Sequence, residues 1–380
     1  MSELPPMRPA HVAAHVLRHR IDMPVRTSFG TMHERPALLV RIEDVDGAHG
    51  WGEVWCNFPA CGAEHRARLV ETVLAPLLRG KAFASPREAF EHLTQATAVL
   101  AIQSGEPGPI AQAIAGLDLA MWDLAARRAG QPLWQLLGGS TDEIGVYASG
   151  INPDQPDEMV ARKRTEGYRA FKLKIGFDEQ RDLDNLQRVR DAAGSGNAVM
   201  ADANQAWDLA TATLRVRPME RFGLGWIEEP LRADRPWSEW RSLRQHAPAP
   251  LSAGENVAGV EAFESLFAAG AVQVVQPDVA KWGGISGTLP VIRRIQAQGL
   301  RHCPHYLGAG IGLLHSAHLL AATGVTGEQG WLEVDANDNP LRTLLCGTLN
   351  EVREGRARLG HGAGIGIEPD LQALRRSTST

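Results

Sequence analysis

Two lysines in the stretch 171–176 have the type and spacing that proton-transfer chemistry requires. Apolar and charged residues alternate there as in a β-strand, so Lys172 and Lys174 share one face. Their Cα atoms are about 6 to 7 Å apart at a rise of ~3.3 Å per residue, so each ammonium group disfavours protonation of the other. Lysine, unlike arginine, can lose its proton. The alternative is a half-exposed strand with a solvated charged face.

Three acidic residues downstream form a second set, Asp202, Glu228 and Glu255. They follow Lys172 at steps of 30, 26 and 27 residues, which is the length of one strand plus one helix. Carboxylates held together repel one another unless a cation neutralises them, and oxygen ligands suit Mg²⁺ better than zinc. The spacing therefore predicts a magnesium site. Taken singly, each acid could instead cap a helix or form a salt bridge.

Similar intervals lead on to Asp278, His305 and Glu333. An aspartate hydrogen-bonded to a histidine fixes the ring tautomer and raises the basicity of the ring. Asp278 and His305 are therefore candidates for an acid/base pair across the site from the lysines. Glu229 should point away from the site, because successive strand residues face opposite sides.

The elements that position these residues are predicted to be eight strands alternating with helices after residue 139. Short apolar runs that predict the strands start near Ile144, Ala170, Ala198, Leu224, Leu251, Val272, Leu300 and Trp331. Strand and helix in alternation imply parallel βαβ units, and eight of them close a (β/α)₈ barrel. Barrel enzymes carry their active sites at the carboxyl ends of the strands, so the candidate residues should converge on one mouth.

Residues 1–139 are predicted to form a separate α+β domain. The runs 37–42 and 50–54 predict a hairpin, and the pattern turns helical over 63–137. Two segments that flank the hairpin, 25–33 and 55–65, are expected to be irregular. The second contains Trp55 and Phe58, which serve either local packing or a substrate lid.

Composition excludes several classes of partner. The chain has 380 residues and a net charge of −5, with no basic tract and no apolar run of membrane-spanning length, so neither nucleic acid nor a membrane is expected. Residues 1–10 lack the apolar core of a signal peptide. The four cysteines have neither zinc-ligand spacing nor the density of a disulfide scaffold, which predicts free thiols and a cytoplasmic location.

These motifs together resemble the enolase superfamily, mandelate racemase subgroup, also called the mandelate racemase and muconate lactonizing enzyme family. The matching motifs are Lys172-x-Lys174, Asp202-Ala203-Asn204-Gln205, Trp226-Ile227-Glu228-Glu229-Pro230, Gly254-Glu255-Asn256, 277–284, His305 and Trp331-Leu332-Glu333. The resemblance covers nearly the whole chain. It implies a TIM-like barrel over 140–345, a capping domain, and a C-terminal segment, 346–380, that returns to the cap.

The family abstracts the proton α to a carboxylate and stabilises the resulting enediolate on Mg²⁺. The resemblance implies the following roles: Asp202, Glu228 and Glu255 as metal ligands, Lys174 as one base, and His305 with Asp278 as the acid/base on the opposite face. Lys172 is expected to hold the substrate carboxylate and to lower the pKa of Lys174. Glu333 is expected to donate a hydrogen bond, if it is protonated. Asn204 either contacts the substrate or is a turn residue.

Two acid/base groups on opposite faces permit several reactions. Dehydration of a sugar acid to a 2-keto-3-deoxy acid is favoured, because it is widespread among members with this set of residues. A racemase or epimerase of a 2-hydroxy acid, or a cycloisomerase, is the alternative. Lys281 could replace His305 as the second base, but members that use such a lysine usually have aspartate where this chain has Glu255. Lys281 is therefore grouped with Asn204, Trp55 and Phe58 as substrate-binding.

A non-catalytic barrel that serves as a scaffold is the remaining hypothesis. It predicts broken metal or base positions, and all of these positions are present in the sequence. The expected partner is therefore a small-molecule carboxylate, and the family resemblance implies a homo-oligomer.

Overall fold

The structure of the protein is a computed structural model that describes residues 6–324 and 330–377. The predictions for both chain ends, 1–5 and 378–380, lie outside the described residues. No helix in the described ranges is long and apolar enough to cross a membrane. All four cysteines are free.

The N-terminal region forms a three-stranded antiparallel sheet in the order β1-β2-β3. Its strands are β1 (Pro9–Thr27), β2 (Gly30–Asp44) and β3 (His49–Val54). The predicted hairpin between 37–42 and 50–54 is confirmed, since Leu38 pairs with Val54 and Ile42 with Gly50.

The prediction that 25–33 is irregular is wrong. Val25 pairs with Met32 and Thr27 with Gly30, so β1 and β2 continue as a hairpin as far as the two-residue turn Ser28-Phe29. The β-branched residues at 25 and 27 suit this extended conformation. The hairpin tip therefore projects beyond the sheet.

Helices then cover the sheet, as the pattern over 63–137 predicts. They are α1 (Gly62–Leu69), a π-helical turn (Val70–Leu74), α2 (Ala75–Leu78), α3 (Pro86–Ser104), α4 (Pro107–Arg128) and α5 (Leu133–Leu136). α4 packs on β3 backbone to backbone, because a Cβ atom on Gly52 would lie 2.1 Å from the carbonyl oxygen of Gly116. Glycine at this position is what allows the close approach.

The eight predicted barrel strands are confirmed. They are β4 (Glu143–Ile151), β5 (Ala170–Lys174), β6 (Ala198–Asp202), β7 (Ile227–Glu228), β8 (Leu251–Ala253), β9 (Val274–Val275), β10 (Arg301–His302) and β11 (Trp331–Asp335). They pair in parallel in the order β10-β9-β8-β7-β6-β5-β4-β11, which is a nearly closed barrel. A short strand, β12 (Arg356–Arg358), adds antiparallel to β4.

Helices surround the barrel. They are α6 (Pro156–Thr165), α7 (Glu179–Ala193), α8 (Leu209–Val216), α9 (Trp237–Arg244), α10 (Val260–Ala269), α11 (Gly284–Ala297), α12 (Gly310–Ala322) and α13 (Pro340–Thr343), with 3₁₀ turns at Arg217–Phe222 and Gly347–Asn350. The last helix, α14 (Leu371–Ser377), instead contacts β1 of the N-terminal sheet. Phe171 and Leu173 of β5 belong to the core between strands and helices. A smaller cluster that includes Tyr147, Met200 and Trp226 fills the barrel interior.

The C-terminal segment contacts the N-terminal region. Trp51 Nε1 donates to Glu368 over 2.9 Å, and the backbone N–H of Ile365 donates to Asp123 over 2.8 Å. The division of the chain into 1–139, 140–345 and 346–380 stays a prediction.

Candidate active site

β5 places both predicted lysines on the inner face of the barrel, and both are buried. Lys172 Nζ lies 2.6 Å from a carboxylate oxygen of Glu228 and 2.6 Å from one of Glu333. Burial lowers the pKa of Lys172, but these two carboxylates outweigh burial and hold the pKa well above its usual value. Lys172 is therefore a charged residue beneath the mouth, fixed between two acids.

Lys174 lies two residues after Lys172 on β5, nearer the mouth, and lines the cavity there. Its Nζ is 2.6 Å from Asp202 Oδ2. Burial lowers the pKa of Lys174 most and Lys172 lowers it too, but the charge and hydrogen bond of Asp202 together with the charge of Glu228 outweigh them, and the net pKa is above the ordinary value. Lys172 therefore has the expected lowering effect, but the nearby acids outweigh it, and Asp202 is a direct partner. Lys174 has to separate from Asp202 before it can accept a proton.

The three predicted metal ligands lie at or just after the ends of β6, β7 and β8. Each pairs with side-chain cations: Asp202 with Lys174, Glu228 with Lys172, and Glu255 with Lys281 and His305. Within the described ranges, no three His, Cys, Asp or Glu side chains are arranged around one point as a metal centre. Lysine and histidine neutralise the acids in this arrangement.

The chemistry of this donor set nevertheless fits Mg²⁺. Burial raises the pKa of Glu228 to about 7 and Lys172 opposes this, while Asp202 and Glu255 add to it, so the three acids lie close enough to repel one another. Beside them Asn204 Oδ1 is buried and has no hydrogen-bond partner among the described residues. Clustered oxygen atoms of this kind are the ligands that Mg²⁺ takes in proteins.

Asp278 and His305 form the predicted pair at the ends of β9 and β10. His305 Nδ1 lies 2.7 Å from Asp278 Oδ2, and Nε2 lies 2.9 Å from Glu255 Oε2. Burial lowers the pKa of His305, but Glu255, Glu333 and Asp278 outweigh it, so the pKa lies well above the usual value. The ring is held in one orientation and carries a proton, which is the state that a general acid needs.

Glu333 lies beneath the mouth on β11 and accepts hydrogen bonds. Ser149 Oγ donates to it, and the backbone N–H of Tyr306 donates over 3.0 Å. With Lys172 as its third partner, Glu333 is an acceptor in this arrangement. Its expected role as a hydrogen-bond donor to the substrate stays a prediction.

Lys281 lies beside the same acid as His305. Its Nζ is 3.1 Å from Glu255 Oε1 and 2.7 Å from Asn256 Oδ1, and it lies 5.0 Å from the ring centroid of Trp55. Lys281 and His305 both line the cavity. The geometry therefore leaves both available as the second base.

Asn204 and Glu229, which follow the ends of β6 and β7, adopt left-handed backbone angles. Asn204, with φ of 44°, donates from its backbone and its side chain to Asp202 and lines the cavity. Glu229, with φ of 38°, also lines the cavity and accepts from Asn256 Nδ2 over 2.9 Å. The prediction that Glu229 points away is wrong, because β7 ends at Glu228 and strand alternation stops there.

A cavity of about 300 Å³ lies between these groups and the N-terminal region. Trp55 and Phe58 line it and also pack against each other, so both local packing and a role as a substrate lid stay open. Sequence reasoning missed several further lining residues, namely Val25, Thr27, Phe29, Met32, Asn57, Gln205 and Leu307. For the first four, a usable signal was present in the sequence. Residue types alternate on both sides of Ser28-Phe29-Gly30 as in two strands, which indicates the tip of a hairpin.

The hairpin tip contacts the barrel directly. Ser28 Oγ donates to the backbone carbonyl of Asn204 over 2.8 Å, and the backbone N–H of Arg26 donates to Asn152 Oδ1 over 3.0 Å. These bonds place Phe29 over the mouth, 5.3 Å from the ring of Phe58.

Buried acids of the N-terminal region fix the barrel loops from outside the cavity. Glu53 accepts from the backbone N–H groups of Ala309 and Gly312, over 2.6 and 2.9 Å, where α12 begins. Asp118 accepts from Ile285 and Ser286 over 2.7 and 2.9 Å, where α11 begins. We call this contact region the seam; it also includes Asp123 and the buried ion pair of Arg35 with Asp335. It anchors the helices that follow Asp278 and His305.

Two family models match the chain. The model described as the mandelate racemase / muconate lactonizing enzyme N-terminal domain matches residues 11–138, and the model described as enolase C-terminal domain-like matches residues 156–373. Together they cover the sheet with its helices and all of the barrel strands except β4.

Known proteins resemble the chain over its full length. The D-galactarolactone cycloisomerase of Agrobacterium fabrum is 30% identical, over 97% of this chain and 98% of that protein. A Bordetella bronchiseptica structure described as mandelate racemase/muconate lactonizing enzyme is 62% identical, with a TM-score of 0.93 over 98% of this chain and 99% of the other. The Salmonella typhimurium L-talarate/galactarate dehydratase, solved with Mg and L-lyxarohydroxamate, is 29% identical, with a TM-score of 0.86 over 99% and 94%.

The named relatives catalyse different reactions. They include sugar-acid dehydratases, cycloisomerases and a racemase. The comparisons therefore agree on the fold and differ on the reaction.

Proposed function

The chain belongs to the mandelate racemase and muconate lactonizing enzyme family of the enolase superfamily, and from this we propose that it dehydrates a sugar acid to a 2-keto-3-deoxy acid. It is an enzyme of that superfamily. The relatives of this chain are named as dehydratases, cycloisomerases and racemases. The single observation that carries the proposal is that Lys174 and His305, on well-separated strands, line one cavity. Between them along the sheet lie the three strands that bear Asp202, Glu228 and Glu255.

In the proposed reaction Lys174 Nζ accepts the proton from the carbon next to the substrate carboxylate. Lys172, charged and buried beneath, stabilises the negative charge that develops on that carboxylate. Asp202, Glu228 and Glu255 would hold Mg²⁺ after releasing their lysine and histidine partners. When bound, Mg²⁺ supplies positive charge that stabilises the negative charge formed when the α-proton leaves, so that a base can remove this very weakly acidic proton.

His305 completes the dehydration. The bond between the β-carbon and its hydroxyl breaks, and the departing oxygen takes the proton from His305 Nε2 and leaves as water. Asp278 accepts from Nδ1–H and so keeps the ring aligned during this transfer. The enol that remains tautomerises to the 2-keto-3-deoxy acid. Asn204, Lys281, Trp55 and Phe58 would contact the rest of the substrate.

A cycloisomerase or racemase uses the same residues and is the second candidate. The Agrobacterium fabrum relative, which matches almost end to end, is named as a cycloisomerase. In a racemase His305 returns a proton to the opposite face of the same carbon, and no water is lost. Lys281, also beside Glu255, could carry out the same transfer.

The experiment is ¹H NMR in D₂O with Mg²⁺ and a panel of mono- and dicarboxylic sugar acids plus mandelate. Wild type is compared with Lys174→Ala, His305→Asn and a control, Lys81→Ala, whose lysine is exposed and pairs with His92. Loss of water that His305→Asn abolishes supports the dehydratase. Exchange of the α-proton without loss of water supports the racemase. Turnover by Lys174→Ala at the wild-type rate contradicts both assignments.

The assembly and location are also part of the proposal. We expect a homo-oligomer in the cytoplasm, as the family resemblance and the cysteine usage predict. Light scattering on the purified protein tests the first expectation, and fractionation of the source cells tests the second.

A further inference from the structure

The side of the cavity formed by the N-terminal region carries no charge. The seven described residues that line it there are Val25, Thr27, Phe29, Met32, Trp55, Asn57 and Phe58. The charged lining residues all come from the barrel: Lys174, Glu229, Glu255, Lys281 and His305. The cavity is therefore polarised, with a charged floor and an uncharged roof.

Aromatic rings form the centre of that roof. Phe29 and Phe58 meet edge to face with centroids 5.3 Å apart, and Trp55 lies 6.2 Å from Phe58. Phe29 is 61% exposed although it is a large apolar residue at the mouth. A ring in that position gains contact area only when a ligand covers it.

Two polar side chains of the roof already donate hydrogen bonds to the backbone. Asn57 Nδ2 donates to the carbonyl of Leu307 over 2.9 Å, and Thr27 Oγ1 donates to the carbonyl of Gly30 over 3.0 Å. Thr27 has no further donor, and Asn57 keeps one amide N–H, which is neutral and leaves the charge of a second carboxylate uncompensated.

Two arginines of the same hairpin are engaged elsewhere. Arg26 pairs with Asp154 over 2.8 Å, and Arg35 pairs with Asp335 in the seam. A carboxylate buried against this roof would find no cation in the roof itself, which is unfavourable. Lys281 of the barrel lies 5.0 Å from the Trp55 ring centroid, but it is already held by Glu255 and Asn256.

We propose that the substrate is a monocarboxylic acid whose remote end is uncharged and presents a C–H face or an apolar group to Phe29, Trp55 and Phe58. Among sugar acids this selects aldonic acids, including those with a terminal methyl group, over aldaric diacids. This inference rests on the proposed function, since it takes the reacting carboxylate to be bound at the barrel floor. It separates this chain from the dehydratase relative that is named for two diacids.

The test compares hexonic acids, their 6-deoxy forms and the hexaric diacids of the same configurations. α-Proton exchange is followed by NMR in D₂O with Mg²⁺, and binding is measured by calorimetry. For the preferred configuration we expect kcat/KM to be about 100-fold higher for the monoacid than for its diacid, because the second charge stays unpaired. Phe29→Arg should reduce this ratio of the two kcat/KM values at least tenfold. The control Val99→Arg, on an exposed position of α3, should leave it unchanged.

The outcomes separate the two proposals. A diacid turned over as well as its monoacid overturns the substrate class and leaves the proposed function in place. If no acid exchanges its α-proton but the monoacid binds more tightly than the diacid, the proposed function fails and the substrate class stands. Equal binding of both, or a gap that Phe29→Arg does not change, overturns the substrate class.

Discussion

Two pairs of acids, one at the barrel mouth and one at the seam, have different kinds of partner. At the barrel mouth, Asp202 and Glu255 pair with lysine and histidine side chains. At the seam, Glu53 and Asp118 accept hydrogen bonds from the backbone N–H groups that begin α12 and α11.

The difference separates groups that can change partner from groups that cannot. A lysine side chain can rotate away and leave its acid to a metal ion or a substrate. The backbone N–H groups at the start of a helix are fixed by the helix itself, and a negative charge there is stabilised by the helix dipole. We therefore expect changes at the mouth to alter the chemistry and changes at the seam to alter stability.

The largest effect is expected for Lys174→Met, which removes the proposed base. General acid/base groups contribute 10²- to 10⁴-fold, so we expect kcat for α-proton exchange to fall by about 10³-fold. NMR in D₂O measures the exchange, and Lys81→Met is the exposed control. A loss below tenfold would assign the proton transfer to another residue.

The same variant tests partner exchange at the mouth. Without Lys174, Asp202 has lost its nearest cation, so Mg²⁺ should raise Tm more in Lys174→Met than in wild type. In Glu53→Gln, Mg²⁺ should raise Tm by the wild-type amount, because the seam lies outside the site. Equal shifts in all three proteins would contradict the contrast between the two regions.

The second effect, at the seam, is expected for Glu53→Gln. The amide has one acceptor oxygen where the carboxylate had two, and its NH₂ group faces a backbone N–H, so unfolding should become easier by about 2 kcal/mol. Urea denaturation measures this, with Glu71→Gln, at an exposed position of the π-helical turn, as control. Folded Glu53→Gln should keep kcat within about tenfold of wild type. A stable variant with a 10³-fold lower kcat would place Glu53 in the chemistry instead.

A smaller loss is expected for Asp118→Ala. Two N–H groups at the start of α11 lose their acceptor, and loss of such a cap costs about 1 to 2 kcal/mol. The free energy of unfolding from urea titration checks the value. A loss near zero would show that water replaces the carboxylate at this position.

The smallest effect concerns a histidine outside both regions. His302 is buried, neither ring nitrogen has a partner among the described residues, and burial lowers the pKa to about 3. Between pH 6.5 and 3 the unfolded chain therefore binds a proton that the folded chain does not, so stability falls as pH falls. Between pH 6.5 and 5.5 this group lowers the free energy of unfolding by about 1 kcal/mol, and the slope approaches about 1.4 kcal/mol per pH unit only at lower pH. His302→Gln should flatten the dependence between pH 6.5 and 5.5, measured by urea titration at each pH; an unchanged slope would contradict it.

Much of this arrangement was predictable from strand periodicity. Alternation over 171–175 placed Lys172 and Lys174 on one face, and the regular spacing of acids placed Asp202 and Glu228 at neighbouring strand ends. Periodicity gives the face of a residue but not its depth or partner. It could not show that Lys172 lies under the cavity between two acids, or that Asp202 holds the pKa of Lys174 above normal.

The wrong predictions fall where regular structure ends. Glu229 turns toward the cavity because its backbone leaves the strand conformation one residue earlier than alternation assumes. The segment 25–33 is a hairpin whose turn, Ser28-Phe29, lacks the Asn-Gly or Asp-Gly signal of common tight turns. No sequence pattern could identify Glu53 and Asp118 as seam residues, because their partners are backbone N–H groups far along the chain.

The seam also determines when the N-terminal region can finish folding during synthesis. Glu53, Asp118 and Arg35 leave the ribosome early, but their partners come 167 to 300 residues later. Contacts between such distant positions slow folding, because long loops have to close first. The early region therefore keeps unpaired charges until translation passes residue 335, and those charges oppose its burial as a finished unit before the barrel exists.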